Sequence, residues 1–204
     1  MIRNRSTCAI TNESGKPEMN DKPSLLLHVC CAPCSPYVVE TLRKDYSVTL
    51  YFYNPNIHPE EEYLKRLEEL RRWAENIGAP LIEGKYEAPK WFEAVKGLEK
   101  EPERGARCEV CFELRLSEAA RTAKSLGIGV YGTVLTVSPH KDAVAINRIG
   151  EKVSDESGVK FFVADWKKKE GFKKTTALGK NLGFYRQNYC GCVFSRRDQA
   201  PDEL

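Results

Sequence analysis

Seven of the eight cysteines in this chain fall into three tight groups: Cys30, Cys31 and Cys34; Cys108 and Cys111; Cys190 and Cys192. Cysteine does its chemistry as the thiolate, either by ligating a metal or by exchanging with a disulfide. Cys108-Glu-Val-Cys111 is spaced as a two-ligand chelate, and Gly191 lets the backbone turn tightly between Cys190 and Cys192. Four thiolates suffice for a 4Fe–4S cluster, which leaves three over. Adjacent Cys30 and Cys31 are expected to project in different directions from a strand end, which suits two neighbouring metals better than one. Two plainer readings stand beside this one. The thiols could form a structural zinc site with spares, or Cys31-Ala32-Pro33-Cys34 could be a thioredoxin-like dithiol, which would leave the other five without work.

The elements around these residues place them. Residues 25–29 (LLLHV) have the length and apolar density of a strand buried on both faces, and Ser35-Pro36 then predicts a helix with Ser35 as its cap. Strands are expected at 47–53, 81–82, 130–137 and 159–164, and helices at 59–77, 91–98, 113–126 and from Pro139 onward. The order argues an α/β fold, a parallel sheet of about five strands with helices on both faces. The first cysteine group, Asn54 and Asn56, residues 138–142 and Asp165 all follow strands. They should therefore share the C-terminal rim of the sheet, where such folds bind ligands and where a metal site is expected.

Most of these polar residues have two readings. His140 and Asp142 are candidates for proton donation or for supporting a metal, and equally for capping a helix. Asn54 and Asn56 could contact substrate or simply form a turn. His28, inside the first strand, reads as a core residue, and Trp73 and Trp91 read as packing. Tyr189 and Arg186 immediately precede Cys190 and are placed to reach the site.

With 204 residues and 41% hydrophobic composition, the chain is long enough for one core-forming domain, taken as 24–204. Residues 1–23 read as a mobile extension without the apolar segment of a signal peptide, and Cys8 within it as a free thiol. No apolar run approaches the roughly 18 residues of a membrane span, so a cytoplasmic protein is expected. The net charge is +3, yet residues 160–197 hold ten Lys or Arg against two Asp or Glu. Interleaved with them are Trp166, Phe172, Phe184, Tyr185 and Tyr189, which makes that third a candidate RNA face. Lys167, Lys168 and Lys169, with Lys141 and Arg186, are its candidate substrate contacts.

The segments LLLHVCCAPCS, YFYNPNIHP, RCEVCFELRL, GTVLTVSPHKD, ADWKKKEGF and GFYRQNYCGCVFSRR resemble the cobalamin-independent epoxyqueuosine reductases, the QueH-type family, over roughly Ser24 to Arg197. The resemblance implies an adenine nucleotide alpha hydrolase-like fold, an iron–sulfur cluster, and reduction of epoxyqueuosine to queuosine at the tRNA anticodon wobble position. The ATP-using members of that fold group carry a Gly-rich loop after the first strand. Here that place is taken by Cys30-Cys31-Ala32-Pro33-Cys34, so ATP is not expected, and the resemblance to the cobalamin-independent family implies no cobalamin. Removing an epoxide oxygen takes two electrons and protons, which calls for a cofactor and an external low-potential electron donor. The expected arrangement is a 4Fe–4S cluster and a second iron held by the surplus thiols with Asp142 or Asp165, open to the epoxide oxygen as a Lewis acid.

Overall fold

The computed structural model describes residues 22–195; Cys8 and the expected extension up to residue 21 lie outside the described residues. Five strands run in chain order, β1 (Ser24–His28), β2 (Ser47–Phe52), β3 (Leu81–Glu83), β4 (Val130–Thr133) and β5 (Lys160–Phe161). All pair in parallel in the order β3-β2-β1-β4-β5. The central strand β1 carries Leu25, Leu26, Leu27 and His28 without solvent exposure, as a parallel strand covered on both faces must.

Six helices alternate with the strands: α1 (Pro36–Leu42), α2 (Glu60–Asn76), α3 (Ala88–Ala94), α4 (Ala106–Ser125), α5 (Ala143–Ser157) and α6 (Gly171–Asn181). Right-handed crossovers place α1 and α2 on one face of the sheet and α4 and α5 on the other. α4 packs against α5, β1 and β4, and α1 against β2 and α6. The chain leaves β1 toward one face and β4 toward the other. A crevice therefore opens between their C-terminal ends.

Four local expectations are corrected. Ser35 does not cap α1: its hydroxyl donates back to the Cys31 carbonyl at 2.9 Å across a 3-10 turn of Ala32–Cys34. The apolar run 130–137 is strand only to Thr133; Leu135–Val137 form a second 3-10 turn, which the Thr133 hydroxyl supports by accepting from Leu135 N. α5 starts at Ala143 and not at Pro139, because the Asp142 carboxylate accepts from Val144 N and Ala145 N. Finally, α4 begins at Ala106, so Cys108 and Cys111 lie within its first two turns and not ahead of it.

His28 is the core residue expected. Its Nδ1 lies 3.0 Å from Thr133 Oγ1 and its Nε2 3.1 Å from the Tyr53 carbonyl, tying the ends of three strands together. Burial first, and then the Arg115 cation, lower its pKa to about 3, so it is neutral in the fold.

Candidate metal centre

At the end of β1 the Sγ atoms of Cys30, Cys31 and Cys34 lie within 4.8 Å of one another, with Cys30 and Cys31 3.7 Å apart. The two adjacent thiols thus do not project apart as expected, and the distance suits one metal as well as two. Cys31 is extended and the chain then tightens into the 3-10 turn, which folds all three thiols onto one spot. Hydrogen bonds from Cys31 and Cys34 hold the Cys30 thiol well below its usual pKa. The same coupling raises Cys31 to about 12 and lifts Cys34 above its ordinary range. Three thiols this close, with one of them favoured as the thiolate, make a ready cation site.

The second group is assembled from distant pieces. Cys108 and Cys111 come from the start of α4, where helix N-termini favour anionic sulfur, and Arg104 N donates to Cys108 Sγ at 3.3 Å. Cys190 and Cys192 come from the segment after α6, and all four thiols line one small cavity of about 20 Å³. Cys111 and Cys192 pack against Trp91 and Val95 in an apolar cluster of their own. Burial raises the pKa of Cys108 and Cys111 and pushes Cys192 up to about 12.

Buried arginines hold this framework, and sequence reasoning did not single them out. Arg66 of α2 donates Nε to Glu62 at 2.7 Å, Nη1 to the Cys190 carbonyl at 3.1 Å and Nη2 to the Tyr189 carbonyl at 3.4 Å. Gly191 turns at φ +108°, and a Cβ there would meet Ile57 at 2.8 Å and Arg66 at 3.1 Å, so the Cys-Gly-Cys turn admits no side chain. Arg107 donates to the carbonyls of Leu98, Glu99 and Glu101 and so fixes the approach to α4. Arg115, one turn after Cys111, donates to Asn54 Oδ1 at 2.6 Å, while Asn54 Nδ2 donates to the Val29 carbonyl at 2.9 Å. One buried chain of hydrogen bonds therefore links the two thiol groups. In helical context these arginines carry only the signal of exposed polar positions, which is why pattern reading passes over them.

A cavity of about 570 Å³ opens over the first group, lined among others by Cys30, Cys34, His140, Lys141, Arg186, Tyr189 and Cys190. Lys141 borders both cavities; burial acts to lower its pKa, but the neighbouring sulfurs of Cys190, Cys30 and Cys34 outweigh burial and raise it, keeping the ammonium charged. The other expected residues are placed as follows. His140 is exposed on the rim of both cavities. The Tyr189 hydroxyl donates to the His58 carbonyl at 2.6 Å, and Arg186 lies over the Phe172 ring. Asp142 is the cap of α5, and Asp165 Oδ1 accepts from Lys167 N at 3.2 Å; neither belongs to the thiol trio. Asn54 is buried with both ends of its amide engaged, and Asn56 is buried without a partner for either end among the described residues. Lys167 Nζ donates to the Lys141 carbonyl at 2.9 Å, while Lys168 and Lys169 face solvent. Trp73 is packed as expected, and Trp91 is fully buried against two of the thiols.

A family profile described as epoxyqueuosine reductase QueH matches residues 25–198, a span that takes in both thiol groups. This chain belongs to that family. It is 44% identical over 176 residues to epoxyqueuosine reductase QueH of Histophilus somni, covering 85% of this chain and 72% of that protein. The Acinetobacter baylyi protein of the same name is 44% identical over 186 residues, with 89% and 84% covered. The Thermotoga maritima protein of that name is 38% identical over 175 residues, with 84% and 90% covered.

The donor set of this QueH family member can be tested for fit to an iron centre. Three thiols within 4.8 Å suit a single ion. The ligands of a four-iron cluster sit on four different irons and stand wider apart, as the second group's separate origins allow. Trp91, Arg107 and Arg115 put buried N–H donors beside this group: the Trp91 and Arg115 side chains hydrogen-bond the Cys111 thiol, and Arg107 Nε has no partner among the described residues. Such donors are what an anionic cluster calls for. The 20 Å³ of free space admits about one water, so a cluster at this group would have to displace the thiols and Trp91. Among the described residues, no helix is long and apolar enough to cross a membrane.

Proposed function

We infer that this chain reduces the epoxide of epoxyqueuosine in tRNA to the cyclopentene of queuosine, with a 4Fe–4S cluster on Cys108, Cys111, Cys190 and Cys192 and a second iron on Cys30, Cys31 and Cys34. The observation that carries the reading is the meeting of two thiol groups at Lys141, on the wall of a cavity of nucleoside size. In balance, the epoxide takes two electrons and two protons; both C–O bonds break, a C=C bond forms and water leaves. The cluster supplies electrons one at a time from an external low-potential donor, and the iron supplies a Lewis acid.

The protein's own residues do the rest. Lys141 holds a positive charge beside both thiol groups and offsets the negative charge that develops on the departing oxygen. The ring of Tyr189 borders the cavity while its hydroxyl is occupied by His58, so it shapes the site and does not donate to substrate. Phe172 and Phe184 offer flat apolar surface for a base drawn out of the anticodon loop, and Lys180 and Arg186 stand on the same wall for its phosphates.

The rival dithiol reading draws on the closeness of Cys31 and Cys34, but assigns nothing to the four thiols around Trp91. Anaerobically purified protein decides between them. Iron and acid-labile sulfide, broad visible absorption, and turnover of epoxide-bearing tRNA with a strong reductant but without cobalamin, ATP or nicotinamide support the reductase. Colourless, metal-free protein that retains turnover, or a strict ATP requirement, would sink it.

A further inference from the structure

The large cavity has a polar feature that metal binding and charge do not account for. Thr175 Oγ1 and Gln187 Oε1 both belong to residues of its wall, both are buried, and neither has a hydrogen-bond partner among the described residues. Thr175 is only 3% exposed. It lies one turn before Gly179 on α6, and a Cβ on Gly179 would stand 3.6 Å from the Pro33 carbonyl, so this face of the helix lies along the turn that carries Cys34. Gln187 Nε2 donates to Cys31 Sγ at 3.1 Å, which fixes the other end of the same amide beside the thiol trio. Buried polar atoms are rarely left unpaired, and those that are mark places where a ligand completes the bonding.

The chemistry of the two atoms narrows that ligand. An amide oxygen only accepts, so it repels a phosphate and seeks an O–H or N–H; a threonine hydroxyl can donate or accept. Both stand beside the thiols, where the reacting carbons of the substrate must come. Resting on the function proposed above, we propose that Thr175 and Gln187 recognise the ring hydroxyls next to the epoxide, the vicinal diol on the five-membered ring. One hydroxyl donates to Gln187 Oε1 and the other pairs with Thr175 Oγ1, which sets the epoxide toward Cys30, Cys31 and Cys34. Both are positioning and specificity-determining residues, because they touch the part of the substrate that does not react.

The test uses anaerobically purified holoprotein and calorimetric binding of the epoxyqueuosine nucleoside and of an analogue lacking both ring hydroxyls. Wild-type protein should bind the natural nucleoside at least about tenfold more tightly than the analogue, since a site built for a hydroxyl rejects a ligand without one. Thr175→Val should lose about tenfold for the natural nucleoside and little for the analogue. Thr175→Ser should restore the preference, and iron and sulfide per chain should stay at wild-type values throughout. Equal affinity of wild type for the two nucleosides overturns the proposal, and that comparison holds whatever the stability of the variants. An equal loss for both ligands in Thr175→Val also overturns it, by reducing Thr175 to packing. A wild-type protein that neither binds nor reduces the epoxide compound would instead fell the functional reading on which this rests.

Discussion

The two thiol groups are built by opposite means. Cys30, Cys31 and Cys34 come from a single loop on the central strand, and the 3-10 turn alone brings their sulfurs within 4.8 Å. Cys108 and Cys111 meet Cys190 and Cys192 across some 80 residues of sequence, through Arg66, Arg107 and a glycine that admits no Cβ. The first group faces a cavity of about 570 Å³; the second closes on about 20 Å³ against Trp91. An open site with few ligands can take a substrate, whereas a closed, fully ligated one can only store or pass electrons. Under the proposed function this contrast in architecture would be a division of labour, and Lys141, bordering both cavities, marks where the two halves meet.

The sharpest way to break this contrast is to remove one sulfur at a time. Cys111→Ser and Cys190→Ser should abolish epoxide reduction and strip acid-labile sulfide together with most of the iron. Cys34→Ser should also abolish turnover but leave the sulfide, losing about one iron per chain. Cys8→Ser should change neither. Iron, sulfide and turnover measured side by side would refute the division of labour if the Cys34 and Cys111 variants lost metal in the same proportions. Loading itself should alter Trp91 fluorescence, because that indole must shift to make room.

A second variant addresses how the groups are joined. Asn54 links the Val29 carbonyl, next to Cys30, to Arg115, one turn from Cys111. Asn54→Ala leaves a buried guanidinium and a buried carbonyl short of partners and should lower stability by about 2 to 4 kcal/mol in denaturant titration. A stable variant with weakened substrate binding would return Asn54 to the substrate-contact role that its position in the sequence also allowed.

Acid should act through the sheet under the first group. His28 has a folded pKa of about 3 against an ordinary value of 6.5. The unfolded chain therefore binds a proton that the fold does not, and stability falls as pH drops below 6.5 toward 3. The expected loss is about 2 kcal/mol between pH 7 and pH 5. His28→Gln, which keeps a hydrogen-bonding side chain without the titration, should flatten that part of the stability profile. An identical slope in both proteins would assign the acid sensitivity elsewhere.

The same contrast explains what could be read from the sequence. The element order, the parallel sheet and the first thiol group were legible, because apolar strand runs and a contiguous Cys-Cys-Ala-Pro-Cys loop carry their own signal. The start of α4 was not: residues 99–107 (EKEPERGAR) read as a charged loop, yet Arg107 is buried as a clamp on three carbonyls. The apolar run that continues past β4 carries the same signal as a strand, because hydrophobicity reports burial and not backbone geometry. Ser138-Pro139 repeats the pattern of Ser35-Pro36, yet neither serine caps its helix. The 3-10 turn diverts Ser35, and Asp142 outcompetes Ser138 with a carboxylate at the helix N-terminus. Arg66, Arg115, Thr175 and Gln187 owe their roles to contacts between segments far apart in sequence, which no local pattern encodes.

The smallest expected effect concerns the basic residues, and it asks on which side the RNA lies. All three lysines at 167–169 looked equivalent in sequence, but Lys167 is tied to the Lys141 carbonyl while Lys168 and Lys169 are free to meet phosphates. They precede α6, whose residues wall the large cavity, so they belong to the open half of the molecule. Lys90 and Lys96 are also exposed, but they flank Trp91 and the closed half. Each phosphate contact contributes close to one unit to the slope of log affinity against log salt. Replacing Lys168 and Lys169 together by Ala should therefore flatten the slope for tRNA by up to about two units, with Lys90→Ala and Lys96→Ala leaving it unchanged. Lys167→Ala should act differently, lowering turnover more than the salt slope, because it releases the loop that presents Lys141. If the Lys90 and Lys96 variants flattened the slope and the Lys168 and Lys169 pair did not, the RNA would approach over the closed group, and the open cavity would lose its claim to the substrate.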